Sequence, residues 1–555
     1  MNPGTEDLLF GAAEFADPTL AQLAKSHGDA AVWRQAIANP VLAAASSKGH
    51  FAAAVNDAQG GTLLVVDRFA TQTLCYRDDG DRLLASSRAD SLASDVNDID
   101  PQALFDYLYF HAIPSPKTVF RGVKRLPAGH VAWYDGHKSS VQRYWKPTFD
   151  VTPMSFEPAK KVFRGLLAQA VAKQLDPERP AAFLSGGTDS STIAGMIREV
   201  CGKRAATYSI GFEAEGYDEM EYARLASRHF GTDHHEHYIS PADLVRLIPT
   251  VAAHHDQPFG NSSALPTYFC AMKAREDGVT RLLAGDGGDE LFGGNTRYAK
   301  QSVFAWYDAM PAAMREKFLE PIANSGALDK IPLLSKGASY VRQARVAMPD
   351  RLQTYNLLTR LGASEVLTPA FLAQADQTEP EGQQRAVWAE SQGAGFVNRM
   401  LAYDWHYTLA ENDLPKVRSS TELAGVSARY PFLDQAIVEF SSRLPDDFKL
   451  RRLKLRWFFK EALRGFLPDE IISKKKHGFG LPFGVWATRH DQLKALARDS
   501  VVGLGERGIV KPQFSTVLMD RLLPEHPGYY GELVWIMMML EQWFRHHAPN
   551  YRMPR

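Results

Sequence analysis

Short apolar runs separated by turn residues dominate the first part of the chain. The runs are residues 51–55, 63–66, 83–86 and 130–134. The last run precedes Asp135-Gly136, a dipeptide typical of tight hairpin turns. This pattern predicts a β-rich region over residues 50–145. Residues 147–158, which begin and end with proline, are interpreted as a linker.

The pattern changes near residue 155, where longer helical stretches alternate with short buried strands. The predicted strands are residues 181–184, 205–212, 234–239 and 279–284. Such alternation predicts a parallel sheet with helices on both faces. Ligands of these sheets bind at the carboxyl ends of the strands. After residue 297 no further strand is predicted, and the remaining chain is interpreted as mostly helical.

Length and composition favour a multidomain globular protein. The chain has 555 residues, which exceeds the size of one typical hydrophobic core. Apolar residues make up 45% and charged residues 23%, the usual proportions of globular proteins. The formal net charge of −1 gives no reason to expect binding to nucleic acid or to a membrane. Self-association stays open.

The cysteines and the start of the chain bear on its location. Cys75, Cys201 and Cys270 are odd in number and widely spaced, so they fit neither a disulfide framework nor a zinc site. No apolar run reaches the length of a membrane span, and residues 1–7 lack the features of a signal peptide. We therefore expect a cytoplasmic protein.

The most informative motif is Ser-Gly-Gly-Thr-Asp-Ser at residues 185–190. It lies between a predicted strand and the apolar helix that begins near Thr192. A glycine-rich turn at a helix start offers free N–H groups and the positive end of the helix dipole, which suit a phosphate. Gly186 and Gly187 let the backbone approach the anion closely. The motif therefore predicts a phosphate-binding loop.

The remaining residues of the motif refine this prediction. Ser185 and Ser190 add hydroxyl donors. A carboxylate beside phosphates is repelled unless a cation lies between them, so Asp189 implies Mg²⁺. The Lys-Ser/Thr pair of the Walker motif is missing. The motif instead resembles the pyrophosphate loop of ATP pyrophosphatases, which cleave ATP to AMP and pyrophosphate.

A second glycine-rich loop ends the fourth predicted strand. It contains five glycines within residues 285–294. The carboxylates of Asp286, Asp289 and Glu290 repel one another there unless cations or donors neutralise them. On a parallel sheet this loop can lie beside the first one, where Asp189 and Asp289 would share Mg²⁺ over a pyrophosphate.

Four ordered motifs resemble those of the asparagine synthetase family. They are Ser-Gly-Gly-Thr-Asp-Ser at 185–190, the loop at 285–294, Ala-Arg-Tyr-Pro-Phe-Leu-Asp at 428–434 and Lys-Lys-Lys-His-Gly-Phe-Gly at 474–480. The resemblance covers roughly residues 155–490 and implies the α/β fold class. Residues 155–548 would form a parallel-sheet synthetase domain of the adenine-nucleotide-hydrolase type, with a helical C-terminal part. Residues 1–148 would form a truncated, β-rich α+β domain of the Ntn-hydrolase type.

The resemblance also implies roles for individual residues. A carboxylate would be activated with ATP as an acyl-adenylate, from which an amine would displace AMP. The implied ATP-binding residues are Leu184, Ser185, Gly186, Gly187, Asp189, Ser190, Ile210, Ala284 and Gly285. Asp189 and Asp289 would hold Mg²⁺. Lys476 would stabilise charge on the phosphate as the adenylate forms and breaks. Lys474 and Lys475 are interpreted as surface residues.

Asp286 departs from the family pattern. Asparagine synthetases often carry glutamate there, and that residue is tied to the reaction of the amine with the adenylate. Aspartate keeps the carboxylate and shortens its reach by one methylene, so it can still accept a proton from an amine. The departure leaves open whether the nucleophile is ammonia or a larger amine.

The front domain departs further from the family. Relatives carry a nucleophilic cysteine at position 2, where this chain has Asn2, and an amide does not replace a thiol. The stretch that positions glutamine is missing. Three segments still resemble later parts of that domain: residues 49–57, 65–69 and 120–130. Asp67 matches a glutamine-binding aspartate, although Val66 replaces the usual arginine. We expect an inactive amidotransferase fold, kept as a scaffold or substrate dock.

Together these features favour ATP-dependent amide-bond formation without glutamine hydrolysis, as in lasso-peptide and β-lactam cyclases of the same family. The partners would be a small-molecule or peptide carboxylate and an amine. Two alternatives stay open, namely asparagine formation from free ammonia and an ATP-binding pseudoenzyme. The presence of Asp189, Asp289 and Lys476 argues against the pseudoenzyme.

A basic run precedes the lysine-containing motif. It consists of Arg451, Arg452, Lys454 and Arg456. Such a run would suit an acidic peptide, but a solvated helix or loop face is the usual role of clustered charges. We therefore predict that these four side chains are exposed.

Overall fold

The computed structural model of the chain describes residues 6–308, 310–321, 340–475 and 480–554. Its strands are β1 (Leu8–Phe15), β2 (Ser47–Asn56), β3 (Thr62–Val66), β4 (Cys75–Asp78), β5 (Leu83–Ser86), β6 (Val123–Arg125), β7 (His130–Tyr134), β8 (Ser139–Arg143), β9 (Ala181–Phe183), β10 (Ala206–Phe212), β11 (Asp233–Ile239), β12 (Arg281–Leu283), β13 (Ser427–Arg429), β14 (Leu450–Arg451) and β15 (Lys454–Leu455).

Helices account for most of the remaining described residues. The α-helices are Pro18–His27, Asp29–Ala36, Pro40–Ser46, Pro101–Phe110, Phe156–Gln174, Thr188–Cys201, Met220–Phe230, Pro241–His254, Ala264–Glu276, Gly288–Phe292, Thr296–Asp308, Ala312–Met314, Leu357–Leu361, Ala363–Val366, Pro369–Leu372, Glu379–Ala389, Phe396–Asp404, Leu414–Leu423, Gln435–Arg443, Asp446–Lys449, Trp457–Ala462, Asp469–Ser473, Phe483–Arg489, Asp491–Glu506, Pro512–Val517, Leu523–Glu525 and Pro527–His547. Short 3₁₀ turns are Asp90–Leu92, Asp350–Gln353 and Pro431–Leu433. The π-helical segments are Arg315–Leu319, Trp405–Asp413 and Leu518–Leu522.

A five-stranded antiparallel sheet, in the order β1-β2-β3-β7-β8, forms the centre of the N-terminal domain. On one face, Trp33 of the first helices shares a buried cluster with Leu63 and Val65. On the other face, Leu83 of a second antiparallel sheet, β5-β4-β6, packs with Leu64. Because both faces are covered, β3 is buried at every position and lacks an alternating pattern.

The C-terminal domain contains a five-stranded parallel sheet in the order β11-β10-β9-β12-β13. Helices connect its strands, so the carboxyl ends of β9, β10 and β12 lie at one edge of the sheet. The predicted fold class, a parallel-sheet α/β domain behind a β-rich domain, is therefore confirmed. The predicted domain boundaries at residues 148 and 155 stay predictions.

The prediction that strands end before residue 297 is wrong. β13 pairs in parallel with β12, with Leu283 opposite Arg429. β14 and β15 form an antiparallel hairpin, in which Arg451 pairs with Lys454. Strands of two or three residues carry no readable alternation, and their pairing partners rather than their own sequence decide their conformation.

The helix Pro527–His547 holds the two domains together. Its residues Met537 and Leu540 share the largest buried cluster with Tyr107 and Leu108 of the N-terminal domain. The Tyr107 hydroxyl donates to the carbonyl of Ile536 at 2.8 Å. This helix is apolar along much of its length, and most of its residues are buried among other helices of the protein. In the described ranges, no helix combines the length and apolarity required to cross a membrane.

We expect that adding one methyl group at Gly531 weakens this packing. A Cβ atom there would lie 2.5 Å from the Cα of Gly484 in the neighbouring helix, so Gly531→Ala should lower the free energy of unfolding by about 1–3 kcal/mol. Gly382 is the matched control, since it is also helical and its Cβ would meet no atom within 4 Å. Gly382→Ala should raise stability by about 0.5–1 kcal/mol. Urea unfolding of both variants measures this, and shifts of the same sign would contradict the expectation.

Candidate active site

Two glycine-rich loops meet at the carboxyl edge of the parallel sheet. One follows β9 and the other follows β12, and these strands are neighbours. A Cβ atom on Gly285 would lie 3.0 Å from the Cβ of Asp189 and 3.0 Å from the backbone nitrogen of Ser190. Glycine at position 285 therefore lets the second loop lie directly against the first.

A cavity of about 280 Å³ opens over these loops. The predicted site residues that line it are Leu184, Ser185, Asp189, Ser190, Ile210, Gly285, Asp286 and Asp289. The predicted ATP-binding residues Gly186, Gly187 and Ala284 belong to the same two loops but do not line this cavity. Lys476 lies outside the described residues, as does Asn2. The structure thus brings most of the predicted residues to one space, while their individual roles stay predictions.

The start of the helix Thr188–Cys201 faces this cavity. Its N-cap residue is Gly187, which has no side chain to satisfy the N–H groups of the first turn. The hydroxyl of Ser190 accepts from the N–H of Ser185 at 3.1 Å and lies 3.0 Å from the Ser185 hydroxyl. These contacts hold the loop closed at the helix start. The free N–H groups and the dipole of a 14-residue helix suit an anion.

A single buried arginine joins the two predicted metal ligands. Nη1 of Arg456 donates to Asp189 at 2.9 Å and to Asp289 at 2.8 Å, and Nη2 donates to Asp189 as well. The Arg456 side chain is only 7% exposed, and its guanidinium lies 4.1 Å from the ring centroid of Phe459. The two carboxylates therefore lie together, held at a fixed separation by one cation.

The prediction that Arg456 is exposed is wrong. Arg451, Arg452 and Lys454 are exposed as predicted, but Arg456 follows the β14–β15 hairpin with a positive φ of 57° and points inward. Its burial depends on carboxylates that are distant in sequence, so the local charge pattern carried no signal for it.

The donor set around Arg456 fits Mg²⁺. A Cβ atom on Gly288 would collide with the Asp189 carboxylate, and one on Gly294 with that of Asp289, so glycine leaves room at each. Mg²⁺ at nucleotide sites usually takes one or two carboxylates together with phosphate oxygens and water. Among the described residues, no cluster of three or more His, Cys, Asp or Glu side chains forms a complete metal site. The two aspartates therefore suit a cation whose coordination a phosphate completes.

Asp286 belongs to a second row of charges on the cavity wall. The Lys416 ammonium lies 3.5 Å from its carboxylate and 3.0 Å from that of Asp413. Burial raises the pKa of the Asp286 carboxyl, the ammonium of Lys416 opposes the rise, and the carboxylate of Asp413 adds to it. Burial disfavours charge on Lys416, yet the two carboxylates together raise its pKa. Asp286 is therefore a stronger base than an ordinary aspartate.

Sequence reasoning missed Lys416 and Asp413. Asp413 ends the π-helical segment Trp405–Asp413, and Lys416 lies in the helix that follows it. The sequence pattern of this stretch predicts only a helix. The spacing of three residues between a carboxylate and a lysine, on a mostly buried helix, could have indicated this ion pair. π-helical turns are rare and occur often at functional sites, because they change which side chains face inward.

A larger cavity of about 430 Å³ shares Asp413 with the first one. Its aromatic lining residues are Tyr109, Phe110, Tyr355, Tyr403 and Tyr407. Phe110 of the N-terminal domain stacks on Tyr407 at 5.2 Å between ring centroids. Amide groups also line it, including Asn412, which accepts from Asn261 at 2.5 Å. Both domains therefore form a roomy aromatic compartment next to Asp413.

The prediction that Lys474 is a surface residue is wrong. Its side chain is 8% exposed, its ammonium lies 3.1 Å from the Glu219 carboxylate, and it lies over the ring of Tyr222. Lys475 is exposed, as predicted. Lys474 therefore anchors the segment that leads to Lys476 against the helix that follows β10.

In the N-terminal domain, Asp67 serves the fold of its own loop. Its carboxylate accepts N–H donors from Phe51 at 3.0 Å, Phe69 at 2.9 Å and Thr71 at 3.2 Å, and also binds the Thr71 hydroxyl. These contacts use most of its acceptor capacity. The side chain therefore stabilises the turn after β3 and has little capacity left for a ligand.

Comparisons with known proteins agree with this arrangement. The family model "Asparagine synthase" matches residues 162–545, and the model "Glutamine amidotransferase domain" matches residues 20–145. Asparagine synthetase 1 (glutamine-hydrolyzing) of Bacillus subtilis is 26% identical over 76% of this chain and 65% of its own length. A putative asparagine synthetase (glutamine-hydrolyzing) of Mycobacterium bovis is 29% identical over 80% of this chain and 67% of its own.

A fungal relative has a different name. Amidase chyE of Penicillium rubens is 22% identical over 70% of this chain and 63% of its own length. The chain thus spans about two thirds of the length of the relatives it matches. The asparagine synthase model nevertheless covers well over half of the chain. The chain therefore belongs to the asparagine synthase family.

Proposed function

We propose that the protein is an ATP-dependent carbon–nitrogen ligase. In the first step a substrate carboxylate attacks the α-phosphorus of ATP, which gives an acyl-adenylate and releases pyrophosphate. In the second step an amine attacks the acyl carbon, the amide bond forms and AMP leaves. The observation that carries this proposal is the cavity in which the phosphate loop, the Asp189–Asp289 pair and the Asp286–Lys416 pair face one space.

The two glycine-rich loops bind the nucleotide in the adenylation step. Leu184 and Ile210 offer an apolar surface to the adenosine part of ATP. Ser185, Ser190 and the N–H groups of the helix start donate to the phosphates. Asp189 and Asp289 would hold Mg²⁺, which would neutralise the charge of the phosphates when bound. Arg456 keeps these two carboxylates in position.

Asp286 acts in the amide-forming step. Its carboxylate would accept the proton that the amine loses as the amide bond forms. The raised pKa makes the carboxylate a better proton acceptor, and the neighbouring ammonium of Lys416 keeps the buried row of charges balanced.

The compartment beside Asp413 supports an amine larger than ammonia. Its volume of about 430 Å³ far exceeds the roughly 10–15 Å³ that one water molecule requires on the same measure. Aromatic and amide side chains there suit the body of an organic amine, as in cyclases that join an internal amine to an activated carboxylate. Asparagine formation from free ammonia is the second candidate, for which the bacterial relatives' names support asparagine as the product, although those names state glutamine hydrolysis.

We also propose that the protein does not hydrolyse glutamine. Cys75 is the first cysteine of the chain, and it is buried in β4, where burial raises the pKa of its thiol. Such a thiol resists formation of the nucleophilic thiolate. The family resemblance implies a nucleophilic cysteine at position 2, where this sequence has Asn2.

The adenylation step gives the first test. Asp189→Asn should reduce carboxylate-dependent pyrophosphate–ATP exchange by about 100-fold or more, because the Mg²⁺ that would neutralise the phosphates loses a charged ligand. The same loss is expected for Asp289→Asn and, from the family resemblance, for Lys476→Ala. A panel of amino-acid and peptide carboxylates identifies the acid. Asp469→Asn is the matched control, because it makes the same substitution at a side chain that is 80% exposed, and it should keep the wild-type exchange rate. Exchange at the wild-type rate in Asp189→Asn, with unchanged circular dichroism, would contradict the assignment.

The second step is tested with Asp286→Asn. This variant should keep pyrophosphate exchange and lose about 100-fold or more in amide formation, since only the second step needs the base. In the wild type, amide formation should decline on acidification through the raised pKa of Asp286, at a higher pH than for an ordinary aspartate. Separate assays of exchange and of amide product by mass spectrometry, across pH, measure both. Equal losses in the two steps would argue against a role confined to the second.

Glutamine hydrolysis is tested directly. The purified protein with glutamine, with or without ATP, should release glutamate no faster than a protein-free blank, and a Cys75→Ser variant should behave in the same way. An enzyme-coupled glutamate assay measures this. Steady release by the wild type that exceeds the blank would assign a working glutaminase to the front domain and contradict the proposal.

A further inference from the structure

A separate cavity of about 400 Å³ lies between the two domains. It shares no lining residue with the candidate active site or with the aromatic compartment. The N-terminal domain contributes β2 and the loop at residues 67–69, and the C-terminal domain contributes the end of helix Phe156–Gln174 and residues 433–439. None of the proposed catalytic steps uses this space.

Two arginines on neighbouring strands line this cavity. Nη1 of Arg281 donates to the carbonyls of Gln174 at 3.4 Å and Leu175 at 3.3 Å, and Nη1 of Arg429 donates to the carbonyl of Ala428 at 3.0 Å. Among the described residues, neither guanidinium forms an ion pair with a carboxylate. Burial lowers the pKa of Arg429, and the charge of Arg281 adds to this effect. Two neighbouring, partly buried cations without a counter-ion are unfavourable unless an anion joins them.

The carboxylates on the same walls are already engaged. Glu14 and Asp434 lie 2.5 Å and 3.5 Å from the ammonium of Lys173. Glu439 lies 3.5 Å from Arg68. Asp67 binds the backbone of its own loop, as described above. These acids therefore do not neutralise Arg281 and Arg429, and the positive charge of the cavity stays exposed to a ligand.

Four residues that line this cavity each carry a buried polar atom without a hydrogen-bond partner among the described residues. These atoms are Nε of Arg68, Nε of Arg281, Oε1 of Gln174 and Oε1 of Gln435. Gln174 is only 8% exposed. Buried polar groups are normally hydrogen-bonded, so these lining side chains have hydrogen-bonding capacity to spare, as donors on the guanidiniums and as acceptors on the amides.

We propose that this cavity binds a small organic anion. Its carboxylate or phosphate oxygens accept hydrogen bonds from Arg281 and Arg429, which match such groups in shape and charge. Its hydroxyl or amino groups donate to the amide oxygens of Gln174 and Gln435. Because both domains line the cavity, the bound anion stabilises their contact. This inference does not rest on the proposed ligase activity.

The test measures binding in the absence of ATP. L-malate and L-glutamate carry carboxylates together with a hydroxyl or ammonium donor, whereas inorganic phosphate lacks an organic body. At saturation, at least one of these probes should raise the thermal midpoint by about 2 °C or more over NaCl of equal ionic strength. Calorimetric titration gives the affinity. Stabilisation by none of the probes would overturn the proposal.

Two variants separate an anion site from a structural role. Arg281→Gln and Arg429→Gln should each weaken probe binding about 10-fold or more. In buffer without a probe, Arg429→Gln should not lower the thermal midpoint, because it removes repulsion between like charges. Arg464→Gln, at a 52% exposed side chain, is the control and should bind normally. Unchanged binding in both cavity variants, or a lower midpoint of Arg429→Gln without probe, would contradict the proposal.

A third variant tests the amide half of the cavity. Gln435→Leu leaves both guanidiniums in place and removes one acceptor. This variant should weaken binding of the organic anion that binds the wild type, and it should leave the binding of inorganic phosphate unchanged. Equal effects on both probes would show that the amides do not recognise the organic part, and would overturn that part of the proposal.

Discussion

The pairing of Arg456 with Asp189 and Asp289 is the interaction on which the site depends. Each partner comes from a different segment: the loop after β9, the loop after β12 and the residue after the β14–β15 hairpin. Buried charges are stable only when paired, and removal of one partner of such a pair typically costs about 3–5 kcal/mol. The same contacts that give the two carboxylates their geometry therefore also fix three distant segments of the chain against one another.

Two rows of charge face the same cavity and differ in what they can do. Asp189 and Asp289 share a permanently charged guanidinium, which offsets their negative charges and holds the two carboxylates together. Asp286 lies beside an ammonium at a longer distance, and burial raises its pKa. The roles proposed for these carboxylates, cation binding for the pair and proton transfer for Asp286, rest on this difference in environment rather than on chemical type.

The sequence was most informative where local pattern decides structure. β9–β12 each lie within two residues of their predicted bounds, and both glycine-rich loops lie at the carboxyl ends of their strands. The burial of Arg456 and Lys474 was not predictable, because their partners lie far away in sequence. β13 exists through its pairing with β12. Lys416 was missed because it lies on a helix without any recognisable motif.

The geometry also gives the N-terminal domain a structural role. Tyr109 and Phe110 form part of the aromatic compartment, and Tyr107 anchors the central helix Pro527–His547. The loop at residues 67–69 closes the cavity of Arg281 and Arg429. Loss of the domain would expose the apolar cluster that it shares with this helix and open both cavities to solvent. The domain therefore supplies walls to both cavities, and the Asp67 carboxylate holds one of these walls, the loop at residues 67–69, in place.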